Sequence, residues 1–364
     1  MQVKAAVLRE LNAPLVFENL ELGAIKPDEV LVRVVATGVC HTDIMMTHGV
    51  PVPVQRPFVL GHEGAGVVEA IGDQVKGVAV GSHVVLSFDH CGACHNCHDG
   101  HAAYCTSFFV NFSGRRRDGS PSLHTADEVV GSNFFGQSSF SSYVVARAAN
   151  VVPVDFDLPL EALGPLGCGI QTGAGAIMNV LKPEPGSSIV IFGAGAVGLS
   201  AAMAARIMGA GTIIVVDLNA DRLALALELG ATHVLNASTE KPQPEVMRIT
   251  GGGANYTLDA SGALPAINGA IECLAVRGTC GIVGGGPPVT INTPHLMTGG
   301  RTITGIGMGD AVPALLIPKL LAFYRQGRFP FDRLISYYSF DQINDAIADA
   351  VSGKAIKPVV RMAA

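Results

Sequence analysis

The feature that most constrains how this chain can fold is a glycine-rich turn near the middle of its sequence. Gly193, Gly195 and Gly198 form a Gly-x-Gly-x-x-Gly motif directly after the apolar run 189–192. An alanine-rich stretch follows the motif, so we expect a strand, a tight turn and a helix in succession. Such a turn places the N-terminus of the helix against the pyrophosphate of a dinucleotide, whose charge it stabilises.

The next apolar run, 212–216, ends at Asp217. Asp217 follows the glycine motif by about 20 residues, which is close to the separation at which such folds place the acid that binds the adenosine ribose. A carboxylate there repels a 2′-phosphate, so the sequence favours NAD over NADP. The alternative is an ordinary exposed aspartate at the end of a strand.

The pattern of apolar runs changes along the chain. From residue 1 to about 150, short apolar runs are broken by glycine and proline, which predicts several short strands in a barrel-like domain. Beyond Gly167, strand-like runs alternate with helical stretches at 196–208 and 220–229, which predicts a parallel sheet with helical crossovers. The 364 residues are enough for both domains.

Charge and hydropathy narrow the range of partners. The net charge is −6, so the chain has no overall attraction for nucleic acid or an anionic membrane. The most apolar window, 189–210, is interrupted by glycines, whereas a membrane span needs about 20 mostly apolar residues. Residues 1–9 alternate like a strand and lack a signal-peptide pattern. We therefore expect a cytoplasmic protein that acts on a small molecule.

Four cysteines are crowded into one short segment. They are Cys91, Cys94, Cys97 and Cys105. Four thiolates at this spacing suit a tetrahedral zinc ion with no open position, which is a structural site. Disulfides are less expected in a chain without a secretion signal. The alternative is four unrelated thiols on a glycine-rich loop.

A second set of metal-ligand residues is dispersed along the chain. Cys40 lies in the segment Gly38-Val-Cys-His-Thr-Asp43, His62 in Gly61-His-Glu63 and Cys168 in Gly164-Pro-Leu-Gly-Cys-Gly169. Two thiolates and one imidazole leave the fourth zinc position for water or substrate, as in a catalytic site. Taken singly, each of these residues could equally be packed in a core.

These features together resemble the zinc-dependent medium-chain alcohol dehydrogenases, whose catalytic zinc is held by two cysteines and one histidine. The resemblance covers essentially the whole chain. It implies an α/β fold, with a Rossmann doubly wound parallel sheet and a GroES-like β-barrel catalytic domain. It also implies a zinc-binding catalytic domain at 1–168, an NAD-binding domain at 169–306 and a return segment at 307–364 that completes the catalytic domain.

The resemblance further implies roles around the metal. The three dispersed residues would hold a catalytic zinc and the four clustered cysteines a structural zinc, two ions per subunit. Asp43 would orient the ligating imidazole, and Glu63 matches an acidic residue beside the metal. Thr42 matches the hydroxyl that first accepts the proton of the alcohol, while the alcohol carbon passes a hydride to the nicotinamide.

Further matched positions concern the cofactor. His41 and Lys357 match residues that contact the pyrophosphate, and Arg222 matches a basic residue beside the ribose. Thr172 and Val197 match residues that line the nicotinamide pocket. Each could instead be a plain packing or surface residue.

The chain departs from the family at one point of the proton relay. Many relatives have a histidine five positions after the first zinc cysteine, and this chain has Met45 there. Either His41 or His48 could take over this function, or the ribose hydroxyl could release the proton directly to water. His48 could also be only a polar residue of a turn.

Within the family, the segments 40–43, 134–140 and 164–173 are most similar to benzyl (aryl) alcohol dehydrogenases. Enzymes acting on allylic terpenoid alcohols such as geraniol share much of this pattern. Phe134 and Phe135 match residues that line the alcohol pocket, and the segment 50–54 matches another wall. An apolar slot with one polar end suits a flat aryl or long allylic alcohol. Alternatively, both phenylalanines are core residues.

Other functions remain open from the sequence. The run 115–117, three arginines, could bind an anionic substrate as in glutathione-dependent formaldehyde dehydrogenases, or form a solvated loop. A non-catalytic zinc-binding protein would lack a catalytic ligand, and all three are present. Zinc-free quinone reductases lack the four-cysteine segment. Residues 305–310 resemble the region where family subunits join, so we expect a homodimer or homotetramer.

Overall fold

The structure, a computed structural model, describes residues 1–49, 56–155 and 157–362. The segment 50–54, predicted to form a wall of the alcohol pocket, lies outside the described residues. Two units are distinguished within the chain. The first contains the described residues of 1–168, 312–318 and 332–364, and the second contains 169–311 and 319–331. The predicted return segment 307–364 is thus divided between the two units.

The strands are short in the first unit and form a regular series in the second. In chain order they are β1 (Gln2–Leu8), β2 (Val16–Leu22), β3 (Glu29–Gly38), β4 (Phe58–Val59), β5 (Gly64–Ile71), β6 (His83–Leu86), β7 (Leu123–His124), β8 (Val129–Val130), β9 (Tyr143–Arg147), β10 (Val151–Val154), β11 (Ser188–Phe192), β12 (Thr212–Asp217), β13 (His233–Asn236), β14 (Ala254–Asp259), β15 (Leu274–Ile282), β16 (Thr302–Gly305), β17 (Ile335–Ser339) and β18 (Lys357–Arg361).

The helices are concentrated in the second unit. In chain order they are α1 (His41–His48), α2 (His95–His98), α3 (Leu160–Leu163), α4 (Gly169–Gly175), α5 (Ala196–Ile207), α6 (Ala220–Leu229), α7 (Pro242–Thr250), α8 (Leu264–Glu272), α9 (Thr293–Gly299), α10 (Pro313–Arg325) and α11 (Ile343–Val351). A π-helical stretch, Ala176–Leu181, continues α4. Among the described residues, none of the helices has the length and apolar character needed to cross a membrane.

The first unit contains two sheets of mainly antiparallel strands. One has the order β4-β1-β2-β7-β8, and the other has the order β10-β6-β5-β3-β18-β17 with β9 also paired to β3. Alternate residues of β3 are buried, among them Val30, Val32 and Val34, because successive side chains of a strand point to opposite faces. The β-barrel-like domain predicted from the broken apolar runs is confirmed.

The second unit contains one parallel sheet with the order β13-β12-β11-β14-β15-β16. Counted from β11, this is the order 3-2-1-4-5-6 of a doubly wound dinucleotide-binding sheet. The strand–turn–helix prediction is confirmed, since β11 ends at Phe192 and α5 begins at Ala196. Gly198 is required for this turn, because a Cβ there would lie 1.8 Å from the carbonyl oxygen of Gly193.

Candidate functional site

The predicted catalytic zinc ligand Cys40 lies at the N-cap of helix α1 in the first unit. Cys40 follows the end of β3 at Gly38, and its extended backbone (φ −111°, ψ 156°) allows the helix to begin at His41. The Asp43 carboxylate accepts a hydrogen bond from the Cys40 backbone N–H at 3.0 Å through Oδ2. The start of α1 and the direction of the Cys40 side chain are therefore fixed by the same residue.

The second oxygen of Asp43 holds the predicted ligand His62. Oδ1 accepts hydrogen bonds from His62 Nδ1 at 3.1 Å and from the Gly61 backbone N–H at 3.0 Å, and both side chains are fully buried. With its hydrogen on Nδ1, the imidazole keeps the lone pair of Nε2 for a metal. The predicted orienting role of Asp43 agrees with this geometry.

The third predicted ligand, Cys168, is positioned at the same site by a turn that packs closely against neighbouring strands. It follows a 3-10 turn, Gly164–Gly167, whose glycines approach neighbouring strands. A Cβ on Gly164 would lie 2.2 Å from the Glu63 carbonyl oxygen, and one on Gly167 would lie 2.0 Å from the Leu86 carbonyl oxygen. Glycine at both positions therefore lets the turn pack against β5 and β6 and brings Cys168 to the site.

The donor atoms of these residues fit a zinc ion. The sulfurs of Cys40 and Cys168 are 4.0 Å apart, and two thiolates on one tetrahedral zinc lie about 3.8 Å apart because each Zn–S bond is about 2.3 Å. His62 Nε2 is buried and has no hydrogen-bond partner among the described residues. A buried polar atom without a partner is costly, and a metal ion at this point removes the cost.

The contact between the two thiols shifts their pKa values in opposite directions. The hydrogen bond with Cys168 lowers the pKa of Cys40 well below its ordinary value despite the opposing effect of burial. The same contact, together with burial, raises the pKa of Cys168. The contact therefore favours the thiolate form of Cys40, which is the form of cysteine that binds zinc.

Glu63 belongs to the same group of side chains, whose donor atoms all lie within 4.8 Å of one another. Its two carboxylate oxygens each accept a hydrogen bond from Lys357 Nζ at 3.0 Å, and Nζ also donates to the Val39 carbonyl oxygen at 3.1 Å. Burial opposes the charge on Lys357, but Glu63 outweighs it and raises the pKa of the ammonium group. Lys357 is therefore the ion-pair partner of Glu63, a pairing that the sequence analysis did not predict. Its predicted contact with the pyrophosphate stays a prediction.

The remaining predicted residues of α1 lie at the start and end of the helix. The Thr42 hydroxyl is 3.9 Å from Cys40 Sγ, and its side chain is half-buried. His41 is exposed. His48 is also exposed, and its Nδ1 is 2.7 Å from Asn12 Oδ1. The structure thus brings Thr42 to the metal ligands, and the end of the proton relay stays a prediction.

Phe134 and Phe135 lie directly beside His62. The ring of Phe135 stacks on the imidazole with centroids 4.6 Å apart, and the ring of Phe134 meets it edge-on at 5.3 Å. Phe112 contacts both phenylalanine rings, and Phe134 is wholly buried. The pair therefore packs against the ligand, and its predicted contact with the alcohol stays a prediction.

The four clustered cysteines form a second metal group. Cys97 Sγ is 3.9 Å from Cys91 Sγ and 3.5 Å from Cys94 Sγ, and Cys105 belongs to the same group. Backbone hydrogen bonds from Thr106 and Cys97 lower the pKa of Cys94 to about 5. Four sulfurs with no other donor in the group fit a closed structural zinc site.

Of the predicted cofactor residues of the second unit, Asp217 lies directly at the glycine turn. Asp217 Oδ2 accepts a hydrogen bond from the Ala194 backbone N–H at 2.6 Å, so the carboxylate lies at the turn. Val197 is half-buried in the first turn of α5, and Arg222 is half-buried in the first turn of α6. The Thr172 hydroxyl is buried without a hydrogen-bond partner in the described part of the chain.

The arginine run 115–117 does not form a solvated loop. Arg116 Nε donates to Glu29 Oε1 at 2.9 Å in a buried ion pair, and Arg117 Nε donates to Asp89 Oδ2 at 2.6 Å. Both guanidinium groups are thus engaged by carboxylates of the same unit. This arrangement gives no support to a site for an anionic substrate at these two residues.

Comparison with known proteins agrees with the fold and with both metal groups. The Alcohol dehydrogenase GroES-like domain family matches residues 26–156, and the Zinc-binding dehydrogenase family matches residues 196–324. A geraniol dehydrogenase from Castellaniella defragrans is 50% identical over 99% of this chain and 98% of its own length. Among solved structures, the benzyl alcohol dehydrogenase from Acinetobacter calcoaceticus is 44% identical, with a TM-score of 0.95 and 100% of both chains covered.

The solved structure of an alcohol dehydrogenase zinc-binding domain protein from Burkholderia ambifaria is also similar, with 50% identity, a TM-score of 0.97 and 100% of both chains covered. These matches and the two metal groups confirm the predicted cofactors, NAD and two zinc ions per subunit. The chain belongs to the zinc-dependent medium-chain alcohol dehydrogenase family.

Proposed function

We propose that this alcohol dehydrogenase oxidises a primary aromatic alcohol of the benzyl alcohol type to its aldehyde, with hydride transfer to NAD. The observation that carries the proposal is the group of Cys40, His62 and Cys168, whose donor atoms lie within 4.8 Å of one another and of a Glu63 carboxylate oxygen. A zinc ion bound there would polarise the alcohol oxygen and lower its pKa.

The chain's own residues prepare the site for this reaction. Asp43 fixes the tautomer and orientation of the His62 imidazole, and Lys357 holds the carboxylate of Glu63 in place. Thr42 Oγ1 is the proposed first acceptor of the alcohol proton, because it is the hydroxyl beside Cys40 Sγ. In a complex with NAD, as the family resemblance implies, Thr42 would lie between the alcohol and a ribose hydroxyl that could accept the proton.

Two observations support an aromatic substrate. Phe134 and Phe135, which match residues that line the alcohol pocket of the family, lie against His62, and an apolar pocket wall beside the metal ligands would favour a flat apolar substrate over ethanol. The benzyl alcohol dehydrogenase from Acinetobacter calcoaceticus covers the whole chain at 44% identity. A second candidate, an allylic alcohol such as geraniol, is favoured by the 50% identity to the geraniol dehydrogenase.

The substrate class can be tested by measuring NADH formation with benzyl alcohol, geraniol and ethanol in parallel. We expect kcat/KM for benzyl alcohol to exceed that for ethanol by more than about 100-fold and that for geraniol by about tenfold, since pocket contacts discriminate by these amounts. Each assay repeated with NADP should give a much lower rate, because the Asp217 carboxylate repels the 2′-phosphate.

Each outcome of this assay distinguishes between the candidates. A higher kcat/KM for geraniol would replace the aryl assignment and leave the zinc chemistry intact. No oxidation of any alcohol by protein with both zinc sites filled would favour a non-catalytic zinc-binding protein. Equal rates with NAD and NADP would contradict the role proposed for Asp217.

The contact between Asp43 and His62 predicts a second result. Asp43→Asn keeps the size of the side chain but removes the charge that stabilises the Nδ1–H tautomer of His62. We expect the affinity for the catalytic zinc, or kcat, to fall by about 10- to 100-fold. Zinc content after dialysis against a chelator and kcat at saturating zinc measure the two effects, and Asp73→Asn, at an exposed position, is the control.

Location and assembly are further parts of the proposal. The eight cysteines are free and six of them form the two metal groups, which is consistent with a reducing compartment such as the cytoplasm. Among the described residues, β16 is an edge strand of the parallel sheet, and edge strands can pair with a second copy of the chain. We propose a homodimer or homotetramer built on this edge.

A further inference from the structure

The segment Asn133–Ser138, next to the catalytic ligands, has an uncommon backbone conformation. Four of its six residues have positive φ: Asn133 (59°), Phe135 (49°), Gly136 (71°) and Ser138 (57°). Residues other than glycine rarely adopt this conformation, because Cβ then crowds the following carbonyl oxygen. Such a conformation persists only where the surrounding structure holds it, and it is common beside functional sites.

Hydrogen bonds hold this segment against the chain that leads into His62. Ser138 Oγ donates to the Val59 carbonyl oxygen at 2.6 Å and accepts from the Phe134 backbone N–H at 2.9 Å. The next backbone N–H, that of Ser139, donates to the Gly61 carbonyl oxygen at 2.9 Å. The segment is therefore fixed to the residues immediately before the histidine ligand.

The side chain of Gln137 makes the central contacts. It is 2% exposed, its Oε1 accepts a hydrogen bond from the Gly64 backbone N–H at 3.0 Å, and its Nε2 donates to the His62 carbonyl oxygen at 3.0 Å. One amide thus holds the backbone on both sides of Glu63. The orientation of the amide is unambiguous, because Gly64 offers a donor and His62 an acceptor.

The same amide is connected to the third ligand. Nε2 also donates to the Ser87 carbonyl oxygen at 3.2 Å, and Ser87 Oγ donates to the carbonyl oxygen of Gly167 at 2.7 Å. Gly167 directly precedes Cys168. Gln137 therefore joins the backbone at His62 to the backbone before Cys168, two ligands that lie 106 positions apart in the sequence.

We propose that Gln137 is a positioning residue of the catalytic metal centre, which sets the separation of His62 and Cys168 through their backbones. The inference rests on the proposed function of this site as a zinc centre. Gln137 does not touch the metal-binding atoms itself. No shorter or charged side chain makes the same contacts, since asparagine is one methylene shorter and a carboxylate would face two carbonyl oxygens.

The test replaces Gln137 with methionine, which is similar in length but offers none of these hydrogen bonds. We expect the catalytic zinc of Gln137→Met to be released to a chromogenic chelator about 10- to 100-fold faster than from the unmodified protein. Release from the four-cysteine site should keep its rate, which provides an internal control. With cobalt in the catalytic site, the visible absorption bands should shift, because the ligand geometry changes.

Two further variants make the result decisive. Asn179→Leu removes an amide that donates to the Gly309 and Asp310 carbonyl oxygens in the other unit, and both zinc ions should be released at unchanged rates. If Gln137→Met does not fold, Gln137→Glu keeps the acceptor for Gly64 but places an oxygen against the His62 and Ser87 carbonyl oxygens, and it should likewise accelerate release of the catalytic zinc. Unchanged zinc release and an unchanged cobalt spectrum in the folded variant would overturn the inference. Failure of the proposed alcohol oxidation would appear separately, in zinc-filled unmodified protein without activity.

Discussion

Replacing Thr42 with alanine is expected to reduce kcat by about 100- to 10,000-fold, the usual contribution of a positioned proton acceptor. The Thr42 hydroxyl lies 3.9 Å from Cys40 Sγ at the start of α1, where it can accept the proton of an alcohol bound beside that sulfur. The alanine variant removes the acceptor but no metal ligand. Zinc content and NAD affinity should therefore stay at their original values.

The measurement combines kcat for the best alcohol with the dissociation constant for NAD, determined by isothermal titration calorimetry. Thr42→Ser retains the hydroxyl and should keep most of the activity. Thr47→Ala is a matched control in the same helix, because its buried hydroxyl donates to the Ile44 carbonyl oxygen at 2.7 Å and is not one of the proposed proton acceptors. Turnover of Thr42→Ala within a few-fold of the control would refute the proposed role.

The sequence predicted best those features that depend on neighbouring residues. The glycine turn at Gly193–Gly198 requires close backbone approach over six positions, so its pattern is visible in the sequence itself. The four-cysteine segment is similar, because all of its ligands lie within 15 positions. Local geometry of this kind leaves a regular spacing, which is why both predictions could be made from the residues alone.

Contacts between distant parts of the chain left no such pattern. Lys357 and Glu63 are 294 positions apart, and they meet because β18 pairs with β3, whose end lies against the Glu63 backbone. Sequence alone gave Lys357 a different role. Similarly, Cys40, His62 and Cys168 were assigned mainly through the resemblance to a family, since their spacing has no regularity that indicates a shared metal.

The role inferred for Gln137 could not be predicted for a related reason. The motif 134–140 was recognised as typical of the family, but its left-handed backbone depends on contacts with Val59, Gly61 and His62. The sequence nevertheless contained one indication. Gln137 is the largest polar side chain in a segment of glycine, serine and phenylalanine, and a buried glutamine in such a segment needs hydrogen-bond partners. Its partners are backbone groups, and these are invisible to any pattern of side chains.

The second large effect concerns the structural zinc site, and Cys97→Ser is the change that tests it. Cys97 lies at the centre of its group, with two sulfurs within 4 Å. The surrounding segment has little secondary structure, since α2 has four residues and none of them is buried. With so small a core, the segment depends on the metal for its order, and structural zinc contributes about 10–16 kcal/mol in zinc-finger peptides.

We therefore expect Cys97→Ser to retain one zinc ion per chain instead of two and to lower Tm by about 10 °C or more. Zinc can be counted by mass spectrometry and Tm measured by calorimetry, while limited proteolysis should cut within 91–105 before the rest of the chain. Cys273→Ala is the matched control, because this thiol is buried outside both metal groups. It should keep two zinc ions. Two ions and an unchanged Tm in Cys97→Ser would show that the four cysteines do not hold a stabilising metal.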